Sequence, residues 1–84
     1  SQTYIQAYMS GSSTLTVKVY SPVPELADVL LFDMNGRQVA RRNVFLAQGF
    51  MTFELPVMMR ASGMYIVKVI GNSVNLKSNI VILK

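Results

Sequence analysis

Around residues 14–20 the chain alternates. Leu15, Val17 and Val19 are apolar, and Thr14, Thr16, Lys18 and Tyr20 stand between them with polar groups. A period of two sends successive side chains to opposite faces of a strand, so one face here is written for burial. The pattern recurs at 50–55, where Met51, Phe53 and Leu55 alternate with Phe50, Thr52 and Glu54, and again at Tyr65, Val67 and Val69, with Lys68 on the other face. Residues 27–32 are apolar on both faces apart from Asp28, which predicts an interior strand. Residues 37–46 are longer and more polar, as suits a bent or edge strand. The opening run 3–9 and the closing run 74–83, with an interruption expected at Ser78-Asn79, bring the predicted strands to seven. No segment holds a helical period long enough for a helix.

Turn signals separate these runs. Ser10-Gly11-Ser12-Ser13 divides the first two strands, and Ser21-Pro22-Val23-Pro24-Glu25 makes a stiff connection, because each proline removes a ladder donor and biases its predecessor toward extended geometry. Asp33-Met34-Asn35-Gly36 reads as a hairpin turn whose Asn-Gly pair adopts positive φ at little cost. Ala47-Gln48-Gly49, Ala61-Ser62-Gly63 and Gly71-Asn72-Ser73 supply the remaining turns. Short alternating strands with this punctuation predict an all-β fold, an immunoglobulin-like antiparallel sandwich of about seven strands. Its expected interior includes Leu15, Val17, Val19, Phe53, Val67 and Val69.

Composition narrows the reading. With 84 residues, residues 1–84 form one domain with one modest core, and a hydrophobic fraction of 51% against 14% charged residues opposes disorder. A start at Ser1 reads as an excised C-terminal piece of a larger protein. The net charge of +4 comes from 8 basic and 4 acidic residues. The densest basic group, Arg37, Arg41 and Arg42, could meet phosphate, lipopolysaccharide or carboxylates, and Tyr4, Tyr8 and Tyr20 offer stacking faces. The basic residues are too sparse for a nucleic-acid footprint, so no nucleic-acid partner is expected.

Chemistry is limited by what is missing. The chain has no histidine and no cysteine, which removes the commonest general base, the thiol nucleophile and the soft metal ligands. Asp28 and Asp33 fall on opposite faces of a regular strand, and Glu25 sits in the proline-rich connection, so no carboxylate pair is expected to catalyse. Asp33-Met34-Asn35 begins like a calcium loop but lacks the later oxygen ligands, and the glycines form no phosphate cradle. No enzyme activity, metal or cofactor is expected. Met34, Met58, Met59 and Met64 lie near turns or strand ends; core filling and capping between sheets is their ordinary role, and an adaptable binding surface is the functional one. Tyr65 is expected to bury its ring and carry its hydroxyl to the rim.

The order of four segments carries a family resemblance. LFDMNGRQV at 31–39, the glycine-led strand at 49–55, SGMYIVKV at 62–69 and NIVILK at 79–84 together resemble the C-terminal sorting domain of proteins exported by the type IX (Por) secretion system of Bacteroidetes. The resemblance spans 15–84. Gly36 matches the hairpin glycine, Gly63 and Tyr65 the glycine-x-tyrosine signature, and Lys84 the terminal lysine, while Ile80 and Val81 lie in the closing strand. Two features depart from the family: a proline-asparagine-proline entry is missing, and Lys77 stands a position or more from where a lysine precedes the final strand.

The resemblance implies a folded secretion signal rather than a catalyst. Its partners would be the type IX outer-membrane translocon, an outer-membrane shuttle protein and a sortase-like peptidase, with anionic lipopolysaccharide reached through the parent protein. It implies export through the periplasm to the outer-membrane surface or the medium. The apolar run at 80–83, if it forms a sheet edge, also allows self-association by strand pairing. The alternative from another class is an extracellular immunoglobulin-like module that binds glycan or protein, or acts as a spacer.

Overall fold

The computed structural model describes residues 4–11, 13–57 and 62–83. Within them lie seven strands: β1 (Tyr4–Met9), β2 (Thr14–Ser21), β3 (Glu25–Phe32), β4 (Gln38–Leu46), β5 (Gly49–Pro56), β6 (Gly63–Ile70) and β7 (Asn75–Ile82). Every pairing is antiparallel. One sheet has the order β1-β2-β5, and the other the order β4-β3-β6-β7.

The alternation read from the sequence decides which faces meet. In the first sheet Leu15, Val17 and Val19 of β2 stand opposite Leu55, Phe53 and Met51 of β5. In the second, Val29 and Leu31 of β3 stand opposite Val69 and Val67 of β6. These inward side chains join Ala27, Leu46, Tyr65, Ile80 and Ile82 in one continuous core. All six residues expected inside are buried.

Strand order explains the unalternating and the polar runs. The apolar segment is β3, held between β4 and β6, so its outer-face residues Leu30 and Phe32 are also half-covered by neighbours on both sides. The long polar segment is β4, at the sheet edge, with a bulge opposite Leu31 and Phe32. β7 forms the other edge, and it runs unbroken through Ser78 and Asn79, contrary to the expected interruption. An edge strand needs apolar residues mainly on its inward face, which Leu76, Ile80 and Ile82 supply; Asn79 points outward into solvent.

Two further expectations change. Glu25 opens β3 instead of lying in the connection, and both of its carboxylate oxygens accept the Ser73 N–H at 2.9 Å, which ties the β6–β7 turn to the start of β3. That approach leaves no room at Gly71, where a Cβ would stand 2.6 Å from Glu25 Oε2 and 3.1 Å from the Leu26 carbonyl oxygen. Core filling describes Met9 and Met51, which pack against the core, but Met34 and Met64 are exposed. Met58 and Met59 lie outside the described residues.

Candidate functional site

The turn between β3 and β4 is wired by one side chain. Asp33 Oδ1 accepts the Asn35 and Arg37 N–H groups, each at 2.9 Å, while the Gly36 N–H donates to the Asp33 carbonyl at 3.1 Å. Gly36 has φ 81, and no residue other than glycine has positive φ among the described residues. The turn therefore closes with positive φ at Gly36 alone, not at the Asn-Gly pair. Asp33 spends its carboxylate on backbone donors, which is turn chemistry and not calcium chemistry.

The pairing of β3 with β6 sets this turn beside the start of β6. Asp33, Met34 and Asn35 line a shallow depression with Ser62, Gly63, Met64 and Tyr65. The β6–β7 register then adds the closing strand: Gly63 stands opposite Ile82, Met64 opposite Val81 and Tyr65 opposite Ile80. Five of the residues singled out in the sequence, Gly36, Gly63, Tyr65, Ile80 and Val81, thus gather at one end of the four-stranded sheet. Their faces differ. Tyr65 and Ile80 are buried in the core, whereas Val81 is 61% exposed and forms an outward pair with Met64.

Lys77 is not part of this gathering. It stands opposite Lys68, four residues before Val81 and so about 13 Å along the strand. Lys68 lies over the Phe32 ring, its Nζ 5.3 Å from the ring centroid. Lys84 lies outside the described residues. Met34 and Met64, whose functional reading in the sequence is an adaptable binding surface, are both exposed; the sequence does not join them to Val81 and Leu83, although the period of two already places Met64 with Lys68 and on the face opposite Tyr65.

The arginine group dissolves in the fold. Neighbours on a strand face opposite ways, so Arg41 reaches Asp28 at 3.4 Å while Arg42 crosses from β4 to donate to the Glu54 carbonyl of β5. Arg37 belongs to the turn. The Asp28 carboxyl sits below its ordinary pKa, chiefly because Asn43 donates to it at 3.1 Å; partial burial opposes this, and the Arg41 charge and hydrogen bond add to it. Among the described residues, no three carboxylates converge as a metal site would require.

A family model described as a secretion system C-terminal sorting domain matches residues 9–83. The chain belongs to that family. A search of curated proteins finds no match. The sorting domain is a non-catalytic C-terminal secretion signal of the type IX pathway, and proteins that carry it reach the outer-membrane surface or the medium. Its function is therefore to be recognised, which turns attention from reactive groups to surfaces held rigidly by the core.

Proposed function

We propose that the sorting signal is read at the end of the four-stranded sheet where the β3–β4 turn, the start of β6 and the end of β7 meet. The supporting observation is the outward Met64–Val81 pair on an edge hairpin, beside exposed Met34 and Leu83. Exposed aliphatic side chains on a preformed surface favour a protein partner, because little order is lost when they bind. The division of labour follows from burial. Gly36 closes the β3–β4 turn with its positive φ, Gly63 opens β6, Tyr65 and Ile80 hold the hairpin on the core, and Val81 touches the partner. Lys77 stands about 13 Å along β7 from that contact.

The partner is the type IX translocon with its outer-membrane shuttle protein, followed by the sortase-like peptidase, and lipopolysaccharide is met only through the parent protein. β7 has no ladder partner on its outer side among the described residues, which gives a route for strand addition, by a partner or by a second copy. Residues 1–84 act as one sorting domain behind a cargo, in keeping with the single core. The sandwich is immunoglobulin-like: the constant-type order places the first, second, fifth and fourth strands in one sheet, and moving only the fourth to the edge of the third yields the order found here.

The test fuses the chain behind an inert periplasmic reporter in a bacterium that has the type IX machinery. The intact fusion should reach the surface or medium, and deletion of 80–84 should hold it in the periplasm. Val81→Asp separates recognition from folding, since an exposed substitution changes stability by only about 0.5 kcal/mol. It should block export with an unchanged melting temperature. Periplasmic retention of the folded intact fusion would refute the sorting role, whereas full export of Val81→Asp would refute only this surface. Lys84→Ala tests the terminal ammonium in the same way.

A further inference from the structure

The two outer faces of the molecule differ in kind. The outer face of the four-stranded sheet exposes aliphatic side chains, Leu26, Met64, Ile70 and Val81 among them. The outward positions of the three-stranded sheet hold no leucine, isoleucine, valine or methionine among the described residues. They hold aromatic rings, hydroxyls, an amide and a few charges, arranged in cross-strand rows. Tyr4, Tyr20 and Phe50 form one row, and Gln6, Lys18 and Thr52 form the next.

The aromatic row is a built cluster. Phe50 packs edge-to-face on Tyr20, with centroids 5.0 Å apart, and on Tyr4 at 5.9 Å, so the three rings bridge all three strands. Lys18 Nζ stands 4.9 Å from the centre of the Phe50 ring, and the Tyr4 hydroxyl donates to Gln6 Oε1 at 3.3 Å. Phe50 nonetheless remains 63% exposed. The rows lie about 7 Å apart along the strands, and the three strands span about 10 Å, which is the footprint of a disaccharide.

We propose that this face binds a glycan chain of equatorially linked pyranoses. A pyranose presents an apolar C–H face and a rim of hydroxyls. The aromatic row offers the first an apolar surface, and the row of Gln6, Lys18 and Thr52 offers the second an amide, an ammonium and a hydroxyl. Aromatic rings also serve protein interfaces; it is the row of amide, ammonium and hydroxyl groups set beside the rings, with no aliphatic side chain among them, that favours a sugar here. The rings are braced by one another and by strands fixed to the core, so the surface is organised before the ligand arrives. This site shares no residue with the surface proposed for sorting, and either can fail without the other.

The test is a titration of the isotope-labelled chain, followed through its backbone amide resonances, with cellohexaose, chitohexaose and hexa-β-mannuronate as separate probes. At least one should shift the resonances of Gln6, Lys18, Tyr20, Phe50 and Thr52 and leave those of Val67 and Val81 in place. Phe50→Ala should weaken that binding tenfold or more at an unchanged melting temperature, and Gln6→Ala severalfold. The proposal is overturned if none of the three sugars shifts these resonances, or if binding survives both substitutions. It is also overturned if the cluster responds only to protein concentration, which marks self-association, or only to vesicles of anionic phospholipid, which marks a membrane contact.

Discussion

Two glycines test opposite causes of the same residue choice. At Gly36 a Cβ would meet nothing within 4 Å, so only the positive φ resists a side chain, and Gly36→Ala should cost about 1 kcal/mol. At Gly71 the obstacle is the Glu25 carboxylate and the Leu26 carbonyl, and Gly71→Ala should cost about 1–3 kcal/mol as a packing clash. Thermal melts distinguish them through a second change: Glu25→Ala removes one obstacle and should recover part of the Gly71→Ala loss, but none of the loss at Gly36. Asp28 carries a prediction about pH. Its pKa is lower in the folded than in the unfolded chain, so its contribution is present above the unfolded value and disappears as pH falls through the folded one. Asp28→Asn should therefore lower the melting temperature near neutrality and flatten its decline on acidification below about pH 5.

At the scale of elements, the β6–β7 hairpin places Lys68 and Lys77 directly opposite each other on the same outward face. Like charges in that position destabilise a strand pair, while opposite charges contribute roughly 0.2–1 kcal/mol. Lys77→Glu should therefore raise the melting temperature slightly, and the gain should shrink as salt is added. Export of a reporter carrying the same substitution then reports on the lysine itself, since the hairpin it sits on has become more stable. The opposite edge is treated differently: Arg42 reaches from β4 to the Glu54 carbonyl on β5, so a side chain occupies an acceptor that another chain would need for strand addition there.

The whole molecule rests on one core shared by both sheets, and a domain of this size is held by only about 5–15 kcal/mol. Phe53 lies far from the proposed sorting surface in the chain and in the other sheet, yet it packs in that same core. Phe53→Ala should cost about 3–5 kcal/mol. If the signal is read as a folded surface, export of a fused reporter should fall with the folded fraction of this variant and return at growth temperatures where its melt shows it folded. Export unaffected in an unfolded variant would mean that the translocon reads a linear segment.

The sequence by itself determined the strands and their inward faces, because a period of two is a local property: Leu15, Val17 and Val19, or Tyr65, Val67 and Val69, announce a buried face wherever their strand is placed. It also carried the family, through the order of its glycine-led segments. Tertiary structure decided what depends on neighbours. Ser78 and Asn79 look like a break until β7 is known to be an edge, and Glu25 looks like loop until the β6–β7 turn arrives to use its carboxylate. Arg41 and Arg42 look like one basic patch until adjacent strand positions send them to different sheets. Both proposed surfaces are of that second kind. Met64 meets Val81, and Tyr4 meets Phe50 across β2, only through register and strand order, which long-range backbone pairing sets and no local run of residues encodes.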